Sequence, residues 1–169
     1  VAFFEGGLVG YSIALGATVF FEATDWFDGF VARLTNSVSD LGKLLDPLCD
    51  TLSRFTIFLT FLAAGVAPLW MVICLFYRDM IVAYVRVGAA KKGVVMSARN
   101  TGKIKAAVQG GGIFIIVALH LANAYGLDFL TSELVSELSY WLMLVVTIYT
   151  LYSLADYVFG LANMNSEED

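Results

Sequence analysis

This sequence has little charge, few prolines, few cysteines and a single histidine. Of its 169 residues, 15% are charged, and there are two prolines, two cysteines and one histidine. A soluble domain is about 25% charged, so this composition excludes an ordinary soluble domain, and so few cysteines exclude a disulfide scaffold. A formal net charge of −5 leaves no basic footprint for DNA or RNA. Apolar residues dominate instead, at 59% of the chain, which indicates an integral membrane protein.

Long apolar runs divide the chain into five windows, each with the roughly 20 residues that a membrane-spanning helix needs. These windows cover residues 6–33, 44–64, 67–89, 105–124 and 137–161. The Ala67-Pro68 pair marks a turn between the second and third windows. Because the windows are apolar nearly all round, we predict an all-α bundle of membrane helices that forms one domain over residues 1–169.

The basic residues predict how the helices are oriented in the membrane. All ten lie between positions 33 and 105, and the connections at 64–68 and 124–136 contain none. By the positive-inside rule, the loops at 34–43 and 90–104 face the cytoplasm. With five spans, Val1 lies on the far side of the membrane. The sequence starts there without a methionine or a basic leader. We therefore expect one further helix upstream, which makes six.

Four aspartates lie within the first two windows, where a charge is costly and marks function. In each window, two of them share a helical stripe with small residues that let a ligand approach the backbone. On the first helix the stripe contains Asp25, Asp28, Gly29 and Ala32. On the second helix it contains Gly42, Asp46 and Asp50. We expect the two stripes to meet near the cytoplasmic surface.

Four converging carboxylates repel one another unless they are protonated or neutralised by cations. All-oxygen ligands suit Mg²⁺, Mn²⁺ or Ca²⁺, whereas zinc prefers cysteine or histidine. The structural alternative is that the four aspartates form ion pairs with Arg33, Lys43 and Arg54. Such pairing explains one or two acids, but not four at matched depth beside small residues. The pattern therefore predicts a metal site.

The same stretch resembles the signature of the CDP-alcohol phosphatidyltransferases. All eight fixed positions match, in the order Asp25, Asp28, Gly29, Ala32, Arg33, Gly42, Asp46 and Asp50. The resemblance implies a six-helix membrane fold, usually a homodimer, with a site for two divalent ions, Mg²⁺ or Mn²⁺, that opens to the cytoplasm. It also implies a reaction in which the hydroxyl of a second alcohol displaces CMP from a CDP-linked lipid.

The resemblance also implies roles for the individual residues. The implied metal ligands are Asp25, Asp28, Asp46 and Asp50, and Asp50 is also the implied general base for the acceptor hydroxyl. The implied nucleotide-binding residues are Asp28, Gly29, Ala32, Arg33 and Gly42.

Further motifs are similar to the bacterial phosphatidylglycerophosphate synthase branch, among them Tyr77-Arg78-Asp79 and Gly102-Lys103-Ile104-Lys105. This similarity implies CDP-diacylglycerol and sn-glycerol 3-phosphate as substrates, within the inner membrane of a bacterium. Basic residues at the cytoplasmic ends of the third and fourth helices suit an acceptor that carries a phosphate. These predicted acceptor-binding residues are Arg78, Arg86, Lys103 and Lys105.

The chain departs from this branch after the fourth aspartate, where many such synthases have a lysine. Thr51 stands there instead, and Arg54 can supply the charge one turn later. The departure leaves other acceptors open, such as inositol phosphate, serine or another small alcohol. A cation transporter is a further alternative. It needs acidic residues along the whole path through the membrane, and the outer half of the membrane has almost none apart from Glu5.

Overall fold

In a computed structural model, the described part of the chain forms a bundle of five α-helices. The structure describes the backbone of residues 7–35, 40–91, 100–126 and 130–165, and the side chains of residues 7–20, 24, 51–88, 101–126 and 130–160. The helices are α1 (Gly7–Thr35), α2 (Asp40–Ala63), α3 (Leu69–Lys91), α4 (Asn100–Ala124) and α5 (Ser132–Asn165). One helix occupies each predicted window, which confirms the all-α fold.

The predicted turn at Ala67-Pro68 is confirmed. Helix α2 ends at Ala63, and Gly65 follows with a φ of 74°, a left-handed conformation that glycine adopts without a Cβ clash. The Val66 amide donates back to the Phe61 carbonyl at 2.9 Å, which satisfies a carbonyl at the end of the helix. Helix α3 therefore starts directly beyond Pro68, antiparallel to α2 in the chain path.

The connection from α4 to α5 is closed by side-chain hydrogen bonds. Asn123 donates from Nδ2 to the Leu130 carbonyl at 2.7 Å, across the connection. Thr131 accepts a hydrogen bond from the Leu134 amide at 3.3 Å and so caps the start of α5. Glu133 adds a negative charge to the first turn, where the helix dipole favours it.

Helices α4 and α5 form the centre of the bundle among the described residues. They pack on each other, α1 packs on α4, α3 packs on α5, and α2 packs on α3. The spatial order is therefore α2, α3, α5, α4, α1. The core residues come from all five helices and include Ala14, Phe61, Met71, Leu75, Ile113, Ile116 and Met143.

The surface of the bundle is strongly apolar. Phe20, Tyr84, Val145, Ile148 and Phe159 are each more than half exposed, and such broad apolar surface is typical of contact with lipid. By length and composition, two described helices can cross a membrane, namely Thr101–Ala124 and Ser132–Gly160. Two shorter apolar stretches run over Gly7–Phe20 and Thr51–Ala63. The protein is therefore an all-α membrane bundle.

Glycine brings α4 and α5 into close contact at one point. A Cβ atom built on Gly112 would lie 2.7 Å from Cγ2 of Val146, whereas one built on Gly111 would meet nothing within 4 Å. Val146 is only 3% exposed, so the contact lies in the core. Small residues allow such approach in membrane bundles, where packing drives helix association.

We expect Gly112→Ala to lower the free energy of unfolding by about 1–3 kcal/mol, because the new methyl group overpacks the contact with Val146. Gly111→Ala is the matched control, and helix propensity alone favours that change by up to about 1 kcal/mol. Thermal unfolding of both variants in the same detergent compares them. Equal midpoints for the two variants would contradict the close approach.

Candidate functional site

The predicted metal ligands lie on two helices. Asp25 and Asp28 are on α1, and Asp46 and Asp50 are on α2, so the helical spacing assumed for each stripe holds in the backbone. The side chains of all four lie outside the described ones, as do those of Arg33 and the residues around it. Their predicted roles therefore stay predictions.

The small residues of the two stripes are placed in the same way. Gly29 and Ala32 follow Asp28 on the last turns of α1, and Gly42 lies in the first turn of α2. Nothing beyond this backbone register is described for these three residues. Their predicted part in binding the nucleotide is untested.

Two of the four predicted acceptor-binding residues come together in a buried ion cluster. Asp79 on α3 accepts a hydrogen bond from Arg78 Nη1 at 2.9 Å. The same carboxylate accepts from Lys105 Nζ on α4, at 2.7 Å to Oδ1 and 3.0 Å to Oδ2. Arg78 is 7% exposed and Lys105 is 5% exposed. We call Arg78, Asp79 and Lys105 the cation cluster.

Helix α5 closes the cation cluster from the other side. Arg78 donates from Nη2 to Oγ of Ser153 at 2.7 Å, in a fully buried hydrogen bond. The Arg78 Nε atom is also buried, and it has no hydrogen-bond partner among the described residues. A buried donor without a partner is costly, so an acceptor oxygen that reached this atom would stabilise the cluster.

The cation cluster carries a net positive charge. Two cations meet one carboxylate, and burial excludes the water that would otherwise screen the excess charge. Arg54 on α2 adds to this potential, because its charge acts on Lys105. Buried excess positive charge favours an anion, and a phosphate group matches the donors of arginine and lysine.

A narrow cleft between α2 and α3 leads to the cation cluster. Its polar lining is Thr51, Arg54 and Asp79, and its apolar walls are Phe55, Phe58, Leu75 and Phe76. Thr51 directly follows Asp50 in the chain, so the cleft begins where the predicted catalytic segment of α2 ends. The cleft therefore joins the aspartate-bearing helix to the cations of α3 and α4.

The other two predicted acceptor-binding residues are placed differently. Lys103 is exposed, whereas Lys105 two residues later is buried. Arg86 lies two turns beyond Arg78 on α3, about 12 Å along the helix. Its guanidinium carbon is 5.9 Å from the centre of the Tyr157 ring on α5, a cation–π contact. The structure thus brings Arg78 and Lys105 together, but it does not bring Lys103 or Arg86 into contact with them.

The cation cluster is surrounded by polar contacts between α4 and α5 that the sequence did not predict. Thr101 donates to Oδ2 of Asp156 at 2.7 Å, and Gln109 donates to Thr150 at 3.3 Å. A signal for them exists in the spacing of polar residues on α5. The buried small polar residues recur every three to eight positions on one face of that long apolar helix, at Ser139, Thr147, Thr150 and Ser153.

The donor chemistry of the chain fits divalent metal ions. Among the described side chains, no three carboxylate, histidine or cysteine groups converge. The helical backbone places two carboxylate-bearing residues on one stripe of α1 and two on one stripe of α2. Carboxylate oxygens are the ligands that Mg²⁺ and Mn²⁺ prefer, so these four positions are suited to hold such ions.

Comparison with known proteins gives a family match that covers most of the chain. The model of the family described as CDP-alcohol phosphatidyltransferase matches residues 2–152. This range includes the four aspartates predicted to bind metal and the cation cluster, and it ends one residue before Ser153.

Several curated proteins with the name CDP-diacylglycerol–glycerol-3-phosphate 3-phosphatidyltransferase are also similar to this chain, among them those of three bacteria. The protein from Treponema pallidum is 28% identical over 130 residues, which are 75% of this chain and 60% of the relative. The protein from Bacillus subtilis is 37% identical over 139 residues, 79% of this chain and 67% of the relative. The protein from Rickettsia bellii is 30% identical over 141 residues, 82% of this chain and 76% of the relative.

Proposed function

This chain belongs to the CDP-alcohol phosphatidyltransferase family, and we propose that it transfers a phosphatidyl group from CDP-diacylglycerol to sn-glycerol 3-phosphate. The products are phosphatidylglycerophosphate and CMP. The family membership supports the reaction class, and the names of the three relatives support the two substrates. The chain spans 60% and 67% of the lengths of the first two relatives, so the activity of the whole protein is a proposal.

The observation that carries the choice of acceptor is the buried cation cluster. Among the described residues, Arg78 and Lys105 share a single carboxylate, which leaves a net positive charge, and Arg78 Nε has no hydrogen-bond partner. An uncharged acceptor such as serine or free inositol does not compensate that charge. The phosphate of glycerol 3-phosphate compensates it through charge-assisted hydrogen bonds.

In this proposal the acceptor lies along α2, and its phosphate and its hydroxyl bind to different residues. Its phosphate binds at the cation cluster and Arg54, and its hydroxyl reaches Asp50. Asp50 and Arg54 are four residues apart on α2, a rise of about 6 Å, which is comparable to the length of glycerol 3-phosphate. Arg54 thereby supplies the charge that a lysine at position 51 provides in related synthases.

Asp50 acts as the general base in the proposed reaction. Its carboxylate takes the proton from the acceptor hydroxyl while the oxygen attacks the phosphorus of the phosphatidyl group, and CMP leaves. Gly29, Ala32 and Gly42 leave room for the cytidine and its phosphates, and Arg33 binds a phosphate of the nucleotide. These positions keep the donor close to the end of α2.

Two divalent ions, Mg²⁺ or Mn²⁺, are proposed to bind Asp25, Asp28, Asp46 and Asp50. When bound, such ions neutralise charge on a pyrophosphate and on its leaving group. Asp28 also contacts the nucleotide in this proposal. We further propose that the protein is a homodimer in the inner membrane of a bacterium. Its active site faces the cytoplasm in this proposal, because the loops that flank the site contain the basic residues.

We expect the purified protein to release CMP from CDP-diacylglycerol when glycerol 3-phosphate and Mn²⁺ are present. Serine, inositol and inositol phosphate are offered separately as competing acceptors, and an excess of chelator is expected to abolish release until Mn²⁺ or Mg²⁺ is restored. Chromatography of the lipid product identifies the acceptor. Release with another alcohol alone would overturn the proposed acceptor, and release in chelator would overturn the metal requirement.

We expect Asp50→Asn to lower kcat by at least about 100-fold, because an amide cannot accept the hydroxyl proton. Binding of CDP-diacylglycerol is expected to change by less than about threefold, since three aspartates remain. Asp40→Asn at the start of the same helix is the matched control, because it makes the same replacement at an aspartate outside the predicted metal ligands. Turnover of Asp50→Asn close to that of Asp40→Asn would remove Asp50 as the base.

We expect Lys105→Met to raise the KM for glycerol 3-phosphate about 10- to 100-fold, the loss equivalent to one charged hydrogen bond. The KM for CDP-diacylglycerol is expected to stay within about twofold. Lys103→Met removes the same charge from an exposed position and is expected to have the smaller effect, below about threefold. Steady-state kinetics measure both variants, and equal effects on KM would contradict the role of the buried cluster.

A further inference from the structure

Ser153 is the residue through which α5 reaches the cation cluster. Its Oγ accepts a hydrogen bond from Arg78 Nη2 at 2.7 Å, and both residues are buried, at 1% and 7% exposure. Among the described residues, the other hydrogen-bond partner of the Arg78 side chain is Asp79, its own neighbour on α3. Within the described part of the chain, Ser153 is therefore the side chain from another helix that forms a hydrogen bond with this guanidinium.

Two contacts on different nitrogens fix the orientation of the Arg78 guanidinium. Nη1 donates to Asp79 and Nη2 donates to Ser153, so the planar group is held at two points. With Asp79 alone, the group would be free to rotate about a single hydrogen bond. Because the donors of a guanidinium form a rigid fork, Ser153 and Asp79 together also set the direction of the buried Nε–H group.

The hydroxyl of Ser153 fixes Arg78 without changing the charge of the cluster. A carboxylate at this position would also hold the guanidinium, but it would cancel the excess positive charge that Arg78 and Lys105 have over Asp79. A neutral acceptor leaves that charge to attract an anion. A serine therefore suits the position of a residue that orients an arginine for phosphate binding, since charge-assisted hydrogen bonds depend on direction.

We propose that Ser153 is a positioning residue that holds the Arg78 guanidinium in the orientation in which it binds the acceptor phosphate. This inference rests on the proposed function, because it assumes that the cation cluster binds the phosphate of glycerol 3-phosphate. Ser153 acts through Arg78 and takes no part in the transfer itself. Its loss weakens binding of the acceptor, whereas the chemical step and binding of CDP-diacylglycerol stay as they are.

The first test is Ser153→Ala, with Ser139→Ala as the matched control. Ser139 is also buried on α5, but it lies about 21 Å away along the helix, where its Oγ is 3.4 Å from His120 Nε2. Steady-state kinetics of CMP release measure both variants in the same detergent with Mn²⁺.

We expect Ser153→Ala to raise the KM for glycerol 3-phosphate at least about fivefold, because Arg78 loses one of its two fixed contacts. Its kcat and its KM for CDP-diacylglycerol are expected to stay within about twofold, a split that a general loss of structure does not produce. Ser139→Ala is expected to change all three parameters by less than about twofold. Equal effects of the two variants on the KM for glycerol 3-phosphate would overturn the proposal.

A second substitution separates the hydrogen bond from the volume of the side chain. Ser153→Cys keeps nearly the same size but replaces the hydroxyl with a weak acceptor. We expect it to raise the KM for glycerol 3-phosphate as Ser153→Ala does, and it decides the question if Ser153→Ala does not fold. A KM of Ser153→Cys equal to that of the wild type would overturn the proposal.

A double variant tests whether Ser153 acts through Arg78. Arg78→Met leaves Asp79 and Lys105 as a pair of opposite charges, so the buried carboxylate keeps a partner. In this background we expect Ser153→Ala to change the KM for glycerol 3-phosphate by less than about twofold, because the guanidinium that it positions is gone. An effect as large as in the wild-type background would overturn the proposal.

CMP release by the wild-type protein separates this inference from the proposed function. If the wild type releases no CMP with glycerol 3-phosphate, the proposed function fails, and the role of Ser153 fails with it. If the wild type releases CMP and Ser153→Ala keeps the wild-type KM for glycerol 3-phosphate, only the role of Ser153 fails. A lower unfolding midpoint of Ser153→Ala with an unchanged KM would assign Ser153 to packing alone and would likewise overturn the proposal.

Discussion

The pairing of buried charges inside an apolar bundle is the constraint on which the packing of α3, α4 and α5 depends. An unpaired ion in such an interior is costly, and a pair that loses one partner leaves the other uncompensated. Asp79 satisfies Arg78 on its own helix and Lys105 on α4, while Ser153 joins Arg78 from α5. Rotation of any of the three helices about its axis would break one of these contacts, so the polar contacts set the facing sides of the helices.

The same contacts connect the architecture to the proposed chemistry. Among the described residues, α2 packs on α3, and α3 in turn packs on α5. Helix α2 carries Asp46 and Asp50, whereas α3 carries Arg78 and Asp79. The α2–α3 contact therefore joins the helix that carries two of the proposed metal ligands to the helix that carries one of the proposed phosphate-binding cations. A site that binds both the phosphate and the hydroxyl of an acceptor is suited to this contact between α2 and α3.

Much of the fold could be predicted from the sequence, because apolar runs of helix length and the Ala67-Pro68 turn are local signals. The contact between Lys105 and Asp79 could not be predicted in the same way, since it depends on how α4 is rotated against α3. The sequence pattern grouped Lys103 with Lys105, but only the structure separates the exposed residue from the buried one. Ser153 was missed as a contact of Arg78 because a lone serine in an apolar helix has no partner until α5 is packed.

The adjacency of Arg78 and Asp79 has a consequence for how the chain enters the bilayer. Helix α3 is synthesised before α4, so Lys105 is absent when α3 first meets lipid. A single charge at the centre of an inserting helix costs about 2.5 to 3.5 kcal/mol. Because Arg78 and Asp79 are neighbours on one helix, at 2.9 Å, each charge has an opposite charge beside it before α4 arrives. Biogenesis of the bundle can thus proceed helix by helix, with the arrival of Lys105 completing a pair that α3 has already formed.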